Sequence, residues 1–160
     1  MPPRPGPEVL SGLDAVAAAL IERAAPATLR IATSPAEVAI AQGLRGAAML
    51  DRGWATPDDL ADGRDEDVDD ARAVHLLAFR GELPIGTCRL LYPVGDAERW
   101  ERDAVFLGRI AVIDPVGRAG RTVSGALIGR AWLEIRAAGY QRIAGLTSAP
   151  MVRLLRRMGF

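Results

Sequence analysis

The chain has no lysine, a single cysteine, a single histidine and few aromatic residues, which make up 5% of it. A lone cysteine, Cys88, excludes an internal disulfide. Its place among strand residues points to a buried thiol in a cytoplasmic protein. With one histidine and one cysteine there is no Cys/His cluster to hold zinc. Long apolar runs are also missing. The nearest thing to a targeting segment is AVAAALI at 15–21, which is short, lies between Asp14 and Glu22, and follows no basic stretch beyond Arg4. Nothing approaches the length of a membrane span.

What is present is a soluble globular composition over 160 residues, 49% apolar and 25% charged. That length carries one domain with a real core. The prolines of MPPRPGP mark a loose arm, so residues 1–27 read as an N-terminal arm and helix and 28–160 as the domain proper. Net charge is zero, but it is unevenly spread. Residues 1–105 hold eighteen acids and eleven arginines, a net of −7, whereas 106–160 hold two acids and nine arginines, a net of +7. A basic C-terminal third suits a polyanionic ligand such as a nucleotide, a pyrophosphate or an acidic carrier protein. No aromatic–basic interleaving or recognition-helix pattern accompanies it, which argues against nucleic acid.

Apolar spacing at Val9, Leu13, Val16, Leu20 and Ala24 predicts a helix from Glu8 to Ala25, and Thr28 to Ala32 a short strand. Ser34-Pro35-Ala36-Glu37 combines a capping serine, a proline at the first helical position and a glutamate placed for a capping box. The helix it starts should run to about Arg52. Asp58 to Asp70 reads as an acidic loop. AVHLLAF (73–79) and PIGTCRLLY (84–92) form a hairpin through RGEL, and Phe106 to Ile113 is a further strand. Arg121 to Ala138 is a helix stopped by Gly139, Arg142 to Thr147 a strand, and Pro150 to Met158 a basic helix. After the first helix the order β-α-β-β-β-α-β-α describes an α/β (α+β) fold with a mixed sheet.

The stretch FLGRIAVIDPVGRAGRTVSGALIGR (106–130) sets arginines and glycines between an apolar strand and a helix. A helix start presents free N–H groups and a positive dipole end, so such a turn can seat an anion. Arg118 and Arg121 add charge there, and Gly117 and Gly120 permit close backbone approach. This stretch, the closing LLRRMGF and the order of elements together resemble the GCN5-related N-acetyltransferase (GNAT) superfamily over Thr28 to Phe160. Val112, Asp114-Pro115, Arg118, Leu127 and Gly159-Phe160 occupy the corresponding places. The resemblance implies a mostly antiparallel sheet flanked by helices, and acetyl-CoA or a longer acyl-CoA as donor. It implies that Ile110, Ala111 and Val112 pair with the pantetheine arm. The amides of Arg118, Ala119, Gly120, Arg121, Thr122, Val123 and Ser124 would hold the pyrophosphate.

DEDVDDARAVHLLAFRGELPIGTCRLL is similar to a segment of acyl-homoserine-lactone and long-chain N-acyl amino acid synthases, which often take acyl groups from acyl carrier protein. The matching residues are Asp65, Asp67, Asp70, Arg89 and Arg109. This likeness implies an amine acceptor, amino-acid-like, with Asp67 and Asp70 holding or deprotonating the amine and Arg89 supporting them. No metal is implied. The sequence departs from these families at four places. Arg121 and Val123 stand where the loop usually has glycine, Phe106 where the synthases have glutamate, and Leu155 where many family members have a tyrosine that protonates the leaving thiolate. The family's last two strands do not follow Gly159-Phe160, so the expectation is a homodimer or a partner that completes the sheet edge. The same departures support a second reading, a catalytically degenerate binding or accessory protein.

Remaining candidates have plainer readings. His75 lies in a strand that is apolar on both faces, which favours a core histidine over a catalytic base. The acidic run is either a solvated loop or part of the site, and it lacks the glycine and terminal glutamate of a calcium loop. Arg153, Arg156 and Arg157 form a basic helix end, either solvated or facing an acidic carrier protein. Trp132 should pack on its helix, while Trp54 and Trp100 could line an acyl pocket or a partner surface.

Overall fold

The computed structural model describes residues 5–95, 101–113, 120–145 and 149–157. Its helices are α1 (Pro7–Glu22), α2 (Pro35–Asp51), α3 (Gly120–Ala137) and α4 (Ala149–Arg157). Its strands are β1 (Thr28–Ile31), β2 (Val74–Arg80), β3 (Leu83–Leu91), β4 (Val105–Val112) and β5 (Ile143–Ala144). They form one sheet in the order β1-β2-β3-β4-β5, antiparallel throughout except that β5 runs parallel to β4. No helix among the described residues is long and apolar enough to cross a membrane.

Strand alternation divides the core into two layers. Leu76, Ala78, Cys88 and Leu90 point to one face, where α1 and α3 add Leu10, Ala17, Leu127, Ala131 and Ile135. Leu77 and Phe79 point to the other, against Ala41 and Leu44 of α2. α1 and α3 touch closely, since a Cβ on Gly129 would lie 2.6 Å from the Ala17 oxygen. Trp132 Nε1 donates to Asp14 at 2.7 Å across the same contact. The N-terminal helix therefore shares the core of the domain.

Local signals act much as their chemistry dictates. Ser34 Oγ accepts from the Glu37 amide at 3.3 Å and Pro35 occupies the first turn of α2. The expected reciprocal bond differs. Glu37 reaches one residue further back, taking the Thr33 amide at 2.6 Å and the Arg30 guanidinium, and its carboxyl is lowered to about 2 by those two donors in that order. At the end of α3, Gly139 adopts φ 87° and Tyr140 donates to Ile135 O at 2.9 Å, closing the helix.

Two expectations need correction. Asp58 to Asp70 is not an open loop but a chain of short 3-10 turns, Pro57–Asp59, Ala61–Gly63 and Val68–Arg72. This segment lies on α2, where a Cβ on Gly46 would collide with Gly63 O. Of the strand expected at 142–147, Ile143 and Ala144 pair with β4, Arg142 and Gly145 fall outside β5, and residues 146–148 lie outside the described ones.

Candidate functional site

Between α2 and the sheet lies a cluster of three aspartates and three arginines. His75 on β2 is paired with Arg89 on β3, and Arg89 with Gly108 on β4, so these positions form a row across the sheet. The turns at 61–72 lower Asp65, Asp67 and Asp70 onto this row. Arg45 on α2 grips Asp70 with both terminal nitrogens, at 3.0 and 2.6 Å, while its Nε donates to Asp65 at 3.1 Å. Gln42, one turn earlier, donates to Asp70 at 3.1 Å. Arg89 bridges Asp67 at 2.6 Å and Asp70 at 2.8 Å. Arg109 donates to both oxygens of Asp65, at 3.2 and 2.9 Å, and to Asp67 at 2.9 Å.

The cluster grades from dry to wet. Arg45, Asp70 and Arg89 are buried, whereas the Asp67 side chain is 24% exposed and that of Arg109 38%. Burial alone would raise the Asp70 carboxyl. Hydrogen bonds from Arg45, Arg89 and Gln42 outweigh it and hold the group well below the usual carboxylate range. Asp67 is lowered in the same way, with Arg89 overcoming burial and the repulsion of Asp70. Both are thus fixed anions. Chemically they attract and orient a cation far better than they remove a proton at neutral pH.

His75 is fully buried, with Nε2 3.3 Å from the Asp70 carbonyl oxygen and no hydrogen-bond partner for Nδ1. Burial lowers its pKa, so it stands in the cluster as a neutral ring. Cys88 is buried, its thiol pushed up by desolvation.

The second half of the site is β4. Thr87 is paired with Ala111 but Arg89 with Gly108, so Cys88 alone faces Arg109 and Ile110, a β-bulge. Arg109 takes φ 53° there. Beyond the bulge Ile113 donates to Ile85 O at 2.8 Å. By the alternation of an antiparallel pair, Ala111 also bonds toward β3, and Val112 turns its N–H and C=O the other way. On that side β5 pairs only with Val105 and Phe106, and no strand among the described residues flanks Val112. Of the expected donor-binding residues, Val112 turns its backbone edge to no strand among the described residues, Ile110 packs on the core that α1 and α3 help to build, and Ala111 is taken up by β3.

At the start of α3, Arg121 is exposed and Thr122 and Ser124 are half-buried, but Val123 is a core residue. Only its backbone could meet a phosphate. Gly120 begins the helix, and Arg118 and Ala119 lie outside the described residues. A strand edge of this kind leading to a positive helix start fits an extended donor that ends in phosphates. Leu155 of α4 packs on the core. Trp54 is 70% exposed beneath Arg52 rather than lining a pocket, and Trp100 lies outside the described residues.

Asp65, Asp67, Asp70, Arg89 and Arg109, expected from the sequence, do come together. Gln42 and Arg45 were missed. Their signal is a polar pair one helical turn apart on the otherwise apolar stripe of Val38, Ala41, Leu44 and Ala48.

No family model and no curated protein matches the chain. Solved structures do. A GCN5-related N-acetyltransferase from Ralstonia eutropha aligns at TM-score 0.59 and 19% identity, over 84% of this chain and 92% of its own. A predicted acetyltransferase with acetyl-CoA from Clostridium acetobutylicum gives 0.61 and 14%, over 84% and 89%. The AHL synthase LasI gives 0.61 and 17%, over 82% and 77%. The chain has the fold of these structures, the GNAT fold.

Proposed function

We propose that this protein is an N-acyltransferase that moves an acyl group from a coenzyme A or acyl-carrier-protein thioester to an amine, with an amino-acid-like acceptor. The observation that carries this reading is the edge of β4 at Val112, which no strand among the described residues flanks, just beyond the bulge that turns Arg109 to the charged cluster. The thioester supplies the activated acyl group. Val112 offers its outward backbone edge to the pantetheine arm, and the start of α3 with Arg118 and Arg121 meets the phosphates. The outward Val112 N–H is available to the thioester carbonyl. Asp67, the most exposed of the three carboxylates, attracts the acceptor ammonium, with Asp70 and Arg89 holding it in place. The ammonium gives a proton to water, the free amine attacks the thioester carbon, and the C–S bond breaks to release a thiolate that water protonates. The work of the chain is chiefly positioning. The acetyl-CoA in the Clostridium structure supports the donor class, and the lone buried Cys88 supports a cytoplasmic setting.

A second reading is a binding protein that has lost turnover. It is favoured by Leu155, which offers no hydroxyl to a leaving thiolate, and by the buried Val123. Calorimetric titration with coenzyme A, acetyl-CoA and a long-chain acyl-CoA, on the native chain and on Arg118→Ala, tests both. Micromolar binding that the substitution abolishes supports the donor site, and amine-dependent thiol release then separates enzyme from binder. Absence of binding to all of them sinks coenzyme A as donor.

A further inference from the structure

Arg109 is the residue whose backbone and side chain make the least obvious choices. It adopts a left-handed conformation, φ 53°, in mid-strand, although that region favours glycine and Gly108 is its neighbour. The bulge sends its two residues apart: Ile110 to the α1/α3 core, Arg109 to the carboxylates. Those carboxylates are themselves anchored. Asp65 is held by Arg45 and its amide donates to Gln42 O at 3.1 Å, and Asp67 is held by Arg89. The chain of contacts thus runs from α2 through the 65–70 segment to the one strained residue of β4.

We infer that Arg109 is a positioning residue: its bridge to Asp65 and Asp67 holds the β4 bulge and so sets the outward edge at Val112. It couples the two halves of the site, because a cation arriving at Asp67 competes with Arg109 for the carboxylate that steadies the donor strand. This rests on the donor reading above for its functional meaning, but the coupling itself is a property of the free protein.

The test is a double-mutant cycle of Asp65→Asn and Arg109→Gly, read by amide hydrogen exchange at Ala111 and Ile113, which bond to β3 just beyond the bulge, with Leu76 and Leu127 amides as the control for global stability. Glycine takes the left-handed conformation without a tether. Asp65→Asn should speed exchange at Ala111 and Ile113 about tenfold in the Arg109 protein, a usual size for coupling between sites, and leave it unchanged in the Arg109→Gly protein. Equal effects in both backgrounds, or none in either, overturn the inference. If Asp65→Asn does not fold, Arg109→Lys takes its place. A single ammonium cannot span both carboxylates, so exchange must rise at Ala111 and Ile113 and not at the control amides, and unchanged exchange there refutes the tether. Acetyl-CoA affinity should follow the same cycle. If the native chain binds no acyl-CoA, the donor reading fails while the exchange result still decides the coupling.

Discussion

Asp70 concentrates the electrostatics of the cluster in one carboxylate, gripped by Arg45, Arg89 and Gln42 in a buried place. Replacing it with asparagine leaves two guanidiniums short of a partner, and loss of one side of a buried pair costs about 3–5 kcal/mol. Urea denaturation of Asp70→Asn at pH 7 should show a loss of that order, and a loss under about 1 kcal/mol would place the pairing at the level of a surface bridge. The pH dependence carries the same sign. A carboxyl lowered in the folded chain contributes above its unfolded value, near 4, and that stability drains away as pH falls from there toward the folded value. His75 acts in a different window. Burial lowers it, helped by Arg45 and Arg89 and opposed by Asp70, so the unfolded chain takes up its proton first, near 6.5. Stability should therefore fall as pH drops below about 6.5, with a slope of up to about 1.4 kcal/mol per pH unit. It is the only histidine, so His75→Gln should flatten the curve between pH 7 and 5. An identical slope in that variant would mean the ring titrates alike in both states.

At the level of elements, α2 is the platform on which the acidic turns rest, and two of its glycines make opposite predictions. A methyl on Gly46 collides with Gly63 O, whereas one on Gly43 meets nothing within 4 Å. Gly46→Ala should displace the 61–65 turn and destabilise by about 1–3 kcal/mol. Gly43→Ala should stabilise by about 0.5–1 kcal/mol through helix propensity. Thermal melts of the two variants should move in opposite directions, and parallel shifts would show that the turn does not rest on α2. Much of this layer is legible in the sequence, because capping serines, hairpin turns and terminal glycines act over a few residues. The bulge is not. FLGRIAVI has the composition of an unbroken strand, and only the pairing of Arg89 with Gly108 beside Thr87 with Ala111 reveals the extra residue. Arg45 is hidden for a similar reason: its partners Asp65 and Asp70 lie 20 and 25 residues away, beyond any local spacing rule.

Across the whole molecule, folding removes part of the charge asymmetry that the sequence displays. Arg109 is taken up by Asp65 and Asp67, and Arg136 by Asp14. The acidic run and the basic third thus meet in one site, which is why the run could be read either as solvated loop or as cluster from sequence alone. Among the described residues, Arg121 at the start of α3 and Arg153, Arg156 and Arg157 on α4 stay exposed. An uncovered basic helix steers an acidic partner by long-range attraction and contributes to its rate of arrival more than to its final hold. If the donor thioester is delivered by an acidic carrier protein, replacing Arg153, Arg156 and Arg157 together with serine should slow association about tenfold at low salt. It should also flatten the dependence of that rate on ionic strength and leave coenzyme A titrations unchanged. Stopped-flow association of a fluorescent acyl carrier protein at several salt concentrations measures this directly. A triple variant that associates as fast as the native chain, with the same salt slope, would assign α4 to solvent and leave the free thioester of coenzyme A as the donor that the site can recruit.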